Sequence, residues 1–169
     1  AYEIYQCDWS SDVCSSDLSA RHRDALDALA ARHRLAEGEP PRIVVLPLDV
    51  TDAEAVSQAH AGLCNAFGAA PDFVLVCAAT YSPLRADAFD LATMRRHQQV
   101  NYVGTLNVLA AVLPQQLARG SGHVSLVASV AGFRGLPKSL AYGPTKAALN
   151  RKSTRLNSSH TDISRMPSS

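Results

Sequence analysis

Three short runs limit what this chain can fold into: Arg42 to Leu46 (RIVVL), Phe73 to Cys77 (FVLVC) and His123 to Ala128 (HVSLVA). The first two are too short for buried helices and too continuously apolar for strands with one wet face. They read as strands covered on both sides, and the third follows the same rhythm. Segments of helical period lie between them. Ala25, Leu26, Leu29 and Ala30 mark one helix, stopped by Gly38 and two prolines. Thr51, with Glu54 three residues later, reads as a capping box opening a second helix. Val56, Ala59, Leu63 and Phe67 form its apolar stripe, and Gly68 and Pro71 end it. After a loop from Tyr81 to Ala88, a long helical region runs from about Asp90 to Arg119. AYGPTKAALN opens another helix, with Pro144 in the first turn, where a missing N–H costs nothing.

Strands alternating with helices imply right-handed crossovers and a parallel sheet, an α/β fold. In such sheets ligands bind beyond the carboxyl ends of the strands. The loops LDVTD, CAATY and SVAG all fall there.

Both ends break this pattern. CDWSSDVCSSDL, Cys7 to Leu18, has no apolar period, and neither does RKSTRLNSSHTDISRMPSS from Arg151. Back-translated, reverse-complemented and read in a shifted frame, RKSTRLNSSHTDISRMP reproduces Ala1 to Ser16 letter for letter. The shared DNA resembles the adapters ligated to fragments for sequencing. The expected organisation is a non-native adapter-like segment at 1–18, a partial domain at 19–150 and a non-native adapter-like tail at 151–169. On that reading the RKSTR patch and the NSS acceptor at Asn157 carry no biological information.

Charge and composition exclude several classes. The 169 residues carry 16 Lys and Arg against 15 Asp and Glu, a net +1, which does not suit an electrostatic nucleic-acid binder. No apolar run approaches the roughly 18 residues that span a membrane. No basic segment followed by an apolar one begins the chain, so a cytoplasmic protein is expected. Cys7, Cys14, Cys64 and Cys77 fit no zinc framework, and the histidines form no metal-binding spacing, so no metal is expected. Cys64 and Cys77 read as small buried hydrophobes. Arg95, Arg96 and His97 read as a solvated helix face. The apolar stripe Val103, Leu106, Val108, Leu109, Val112 and Leu113 reads as core or subunit interface.

One constellation carries chemistry. Tyr142 and Lys146 stand at i and i+4 at a helix start and so share a face. Ser129 follows the third strand, and Asn101 lies in the long helix. A phenol with a pKa of about 10 is a poor base at neutral pH. A nearby ammonium favours its phenolate. Tyr142 can then exchange a proton with a carbinol or carbonyl oxygen that Ser129 holds by a hydrogen bond. Lys146 can also reach ribose hydroxyls, and Asn101 can hold a water linking the lysine to solvent.

With these residues in order, the chain resembles the short-chain dehydrogenase/reductase family over nearly all of residues 19–150. LDVTD resembles that family's adenine-contacting acidic turn, QVNYVGTLNV its asparagine-bearing helix, and Ser129, Tyr142 and Lys146 its triad. The resemblance implies a Rossmann-type, doubly wound parallel sheet in three α/β/α layers, here without its first strand and its C-terminal strands. It implies Asn101, Ser129, Tyr142 and Lys146 as catalytic residues. It implies cofactor contacts from Arg21, Asp49, Val50, Ala78, Ala79, Tyr142 and Lys146. Arg21, with Arg23 as second choice, suits a 2′-phosphate, which favours NADP with NAD as the alternative. A small alcohol or carbonyl substrate and a homo-oligomeric parent are also implied.

Two departures matter. The family's N-N-A-G segment reads Cys77-Ala78-Ala79-Thr80, which loses bracing amides and motivates an alternative: a non-catalytic nucleotide-binding or regulatory protein. The T-G-x-x-x-G-x-G turn that carries the pyrophosphate is not found before Ser19. The chain as given is therefore expected to be inactive, with a gap between the strands at Arg42 and Phe73.

Overall fold

A computed structural model describes residues 4–7, 16–21, 23–32 and 43–158. Its elements run β1 (Ile4–Cys7), β2 (Ser16–Ala20), α1 (Arg23–Arg32), β3 (Ile43–Pro47), α2 (Ala53–Phe67), β4 (Phe73–Val76), α3 (Leu91–His97), α4 (Gly104–Arg119), β5 (His123–Leu126) and α5 (Tyr142–Ser158). The sheet order is β3-β2-β1-β4-β5. β2 pairs parallel with β3, and β4 with β5. The chain crosses the sheet one way from β2 through α1 to β3, and the other way from β3 through α2 to β4. Right-handed crossovers therefore place α1 and α2 on opposite faces, which is the doubly wound arrangement.

The expected gap is filled. β1 lies between β2 and β4 and is antiparallel to both, with Ile4 opposite Ser19 and Val76. Its neighbours leave unpaired N–H and C=O groups on both sides of this slot, and any extended segment satisfies them. The backbone of Ile4–Cys7 does so although its sequence reads as non-native. At the other end α5 continues past Asn150 to Ser158, because helix hydrogen bonding is indifferent to where the adapter-like text begins. The remaining residues of both end segments, among them Cys14 and most of the tail, lie outside the described residues.

The core is built on β4. Val74 and Val76 meet Val50 and Ala78 at the strand ends, Val56 of α2, and Val108 and Val112 of α4. Leu48, Val124 and Leu126 pack around them. Of the stripe expected on α2, Val56 and Leu63 are buried, whereas His60 takes the place given to Ala59. Cys64 and Cys77 are only half-buried, and the Cys64 thiol donates to Gln115 Oε1 at 3.2 Å.

Two local expectations need correction. The cap of α2 is Asp52, whose carboxylate accepts from the Glu54 and Ala55 N–H groups at 3.0 Å. Thr51 is already engaged, because its N–H and hydroxyl both donate to Asp49 Oδ1. Glu54 accepts from Gln58 on the next turn instead of reaching back to the cap. The region from Asp90 to Arg119 is one helical column interrupted by a π turn at Gln98–Val103. Such a turn inserts one residue into the helix and re-aims the side chains within it. Asn101 sits inside it and is wholly buried.

Candidate active site

The carboxyl ends of β4 and β5 and the start of α5 bring most of the expected residues together. Lys146 is 1 % exposed, and its Nζ donates to the Val127 carbonyl just beyond β5 at 2.7 Å. Burial lowers its pKa, with Cys77 pulling part of the way back. The same ammonium lies 5.6 Å from the centroid of the Tyr142 ring. Tyr142 is half-buried and also meets the edge of Tyr81, ring centroids 5.3 Å apart. The helical i, i+4 spacing produces the Tyr142–Lys146 contact, and the Val127 carbonyl fixes its depth.

Ser129 is half-buried in extended conformation and caps a short 3-10 turn, its Oγ accepting from the Ala131 N–H at 3.2 Å. Its own hydroxyl proton stays available to a substrate oxygen. This turn packs tightly on α5. A Cβ at Gly132 would lie 2.6 Å from the Lys146 carbonyl carbon and 2.7 Å from the Ala147 nitrogen, so only glycine fits. The close approach seats the turn that follows Ser129 directly on the backbone of α5 at Lys146 and Ala147.

Asn101 works through its neighbours. Its Oδ1 accepts from the Thr80 N–H at 2.6 Å, and its Nδ2 donates to the Thr80 carbonyl and to Thr145 Oγ1. Thr145 in turn donates to the Tyr142 carbonyl at 2.7 Å. The amide is thus spent on bracing, which leaves one Oδ1 lone pair for the relay water expected from the sequence.

Arg21, Asp49 and Val50 gather elsewhere on the same edge, at the ends of β2 and β3. Asp49 is exposed, and the Thr51 N–H lowers its pKa first, with the positive charge of Arg21 contributing. Arg23, the second choice, instead pairs with Asp27 inside α1 at 3.5 Å. Val50 and Ala78 are buried in the core, so only their backbone can face a ligand, and Ala79 is half-buried. The Val50 carbonyl accepts from Asn107 at 2.8 Å.

A whole dinucleotide does not fit these residues. The Arg21–Asp49 corner suits its adenosine end, and the Tyr142–Lys146 wall its reacting end. The span between them needs a strand-to-helix turn of backbone N–H groups for the pyrophosphate. β1 occupies that position and begins, rather than ends, at the carboxyl edge. Among the described residues no glycine-rich turn opens a helix there.

The sequence reading missed Thr80, Thr145 and His97. His97, expected on a solvated face, is wholly buried. The sequence gives no sign of this, because its acceptor role depends on Ser82 from another segment. Arg96 stays exposed but donates to Thr80 Oγ1 at 3.3 Å. Among the described residues no cluster of three or more His, Cys, Asp or Glu side chains converges as a metal would need. No helix among them is long and apolar enough to cross a membrane.

Comparison with known proteins agrees with this fold. The short chain dehydrogenase family profile matches residues 15–162. Rat estradiol 17-beta-dehydrogenase 1 is 40% identical over 118 residues, 68% of this chain and 33% of that protein. The chain thus spans about a third of that relative's length. An NAD+-bound xylitol dehydrogenase superposes with a TM-score of 0.74 at 27% identity, covering 83% of this chain and 54% of that one. A serine dehydrogenase complexed with NADP+ superposes at 0.73 with 22% identity, over 86% of this chain and 56% of its own, which bears on the fold alone.

Proposed function

The chain belongs to the short chain dehydrogenase family, and from that premise we propose that its full-length form interconverts an alcohol and a carbonyl. A nicotinamide dinucleotide supplies the hydride chemistry when bound. The chain's own residues handle the proton. Tyr142 gives a proton to the carbonyl oxygen or takes one from the carbinol. Ser129 donates to the same oxygen and holds it in place. Lys146, pinned by the Val127 carbonyl, keeps an ammonium beside the ring and stabilises the phenolate left when the proton leaves. Asn101 fixes the start of α5 through Thr145 and offers its remaining lone pair to a relay water. The observation that carries this reading is the buried Lys146 ammonium held 5.6 Å from the Tyr142 ring.

Relatives of this fold are found with either nucleotide, so the choice between them rests on this chain's residues. Arg21 beside Asp49 favours NADP, since a guanidinium suits a 2′-phosphate. Asp49, Val50, Ala78 and Ala79 form the adenosine side. The substrate is a small alcohol or carbonyl, and the full-length protein is a cytoplasmic homo-oligomer. The 169-residue chain itself is inactive, because β1 blocks the place of the pyrophosphate turn.

The test is a panel of aldehydes and ketones offered with NADPH and NADH to the full-length protein and to the 169-residue chain. Reduction by the full-length protein alone, faster with NADPH, supports the proposal. Nucleotide binding without reduction of any panel member favours a regulatory role instead.

A further inference from the structure

The strap from Thr80 to Leu84 carries Tyr81 to the edge of the Tyr142 ring, and three anchors hold it. Thr80 is clasped by Asn101 through both backbone groups. Leu84 donates to the Lys138 carbonyl at 2.9 Å and accepts from the Leu140 N–H at 3.3 Å. Between them, the Ser82 N–H donates to His97 Nε2 at 3.0 Å. That nitrogen therefore carries no proton. Nδ1 carries it and donates to the Thr93 carbonyl at 2.7 Å. Both ring nitrogens of a fully buried histidine are thus committed, one to its own helix and one to the strap.

We infer that His97 is a positioning residue for Tyr142, acting through Ser82 and Tyr81. Tyr81 is 53 % exposed, so burial does not fix its ring. Its direction depends on the backbone on either side, Thr80 held by Asn101 and Ser82 held by His97. The strap sequence CAATYS has no amide side chain of its own, so α3 supplies the anchor. An aliphatic or aromatic residue at position 97 could fill the volume but would leave the Ser82 N–H without an acceptor. The consequence for catalysis rests on the role of Tyr142 proposed above. The geometric claim does not.

The experiment is NMR on the 169-residue chain. In the unsubstituted protein, nitrogen shifts of His97 should show the proton on Nδ1 and a bare Nε2; the opposite tautomer overturns the inference. Glutamine can place an acceptor near the position of Nε2, whereas phenylalanine cannot. His97→Phe should speed amide exchange of Ser82 roughly tenfold and abolish the Tyr81–Tyr142 ring contact. His97→Gln should keep both near their original values. A folded His97→Phe chain that keeps the ring contact, or a folded His97→Gln chain that loses it, refutes the role. If neither variant folds, the tautomer in the unsubstituted chain decides. These readouts stand whether or not Tyr142 proves to be the acid/base, which activity of the full-length protein tests separately.

Discussion

Asn101 and Thr80 hold each other by a reciprocal pair of hydrogen bonds: the Thr80 N–H donates to Oδ1 at 2.6 Å, and Nδ2 donates to the Thr80 carbonyl at 3.0 Å. Both residues are buried, so neither backbone group of Thr80 has water as a substitute. Asn101→Ala should destabilise the chain by about 2–4 kcal/mol in urea unfolding, mostly through stranded polar groups. A loss below roughly 0.5 kcal/mol would show that the clasp is replaceable.

Two glycines should respond in opposite directions to alanine. At Gly132 the added Cβ meets α5 backbone that cannot yield. Gly132→Ala should cost about 1–3 kcal/mol and shift α5 away from the Ser129 turn. Gly62 lies in the exposed interior of α2, with nothing within 4 Å of its added Cβ. Gly62→Ala should gain roughly 0.5–1 kcal/mol. Thermal unfolding of the two variants side by side checks both signs.

Lys146 gives the stability a pH dependence. Its folded pKa lies below the ordinary 10.5 because of burial. Between the two values the unfolded chain binds more protons, so stability rises with pH there. The urea midpoint of the unsubstituted chain should climb relative to Lys146→Met as pH approaches 10.5. Parallel curves for the two proteins would mean that the ammonium is well solvated.

Asp49 acts at the acid end. Its folded pKa is depressed below 3.8, first by the Thr51 N–H. Its contribution is present above the ordinary carboxylate value and is lost as pH falls through the folded value. Asp49→Asn should therefore flatten the acid limb of the stability curve while leaving the limb above neutral pH unchanged. An unaltered acid limb contradicts the assignment.

The parts legible in the sequence were those set by side-chain pattern. The runs at β3, β4 and β5 and the helical periods gave the parallel βαβ units, and the i, i+4 spacing gave Tyr142 over Lys146. What escaped depended on competition or on distant partners. Thr51 and Asp52 are both good caps, and Asp49 decided between them by taking Thr51. The π turn at Asn101 left no mark in the apolar period, because the stripe read from the sequence begins at the turn's last residue, Val103, and never crosses it. His97 looks solvated beside Arg95 and Arg96, and only the folded position of Ser82 explains its burial. β1 could not be foreseen, since a vacant slot between strands selects for backbone rather than for sequence.

The central claim is that Tyr142 moves the proton, and substitution of its hydroxyl tests it most directly. Tyr142→Phe in the full-length protein keeps the ring, its contact with Tyr81 and the helix start. The account predicts that kcat falls by about two to four orders of magnitude while nucleotide affinity weakens by no more than about tenfold, the cost of one hydrogen bond. Turnover within a few-fold of the unsubstituted enzyme would contradict it.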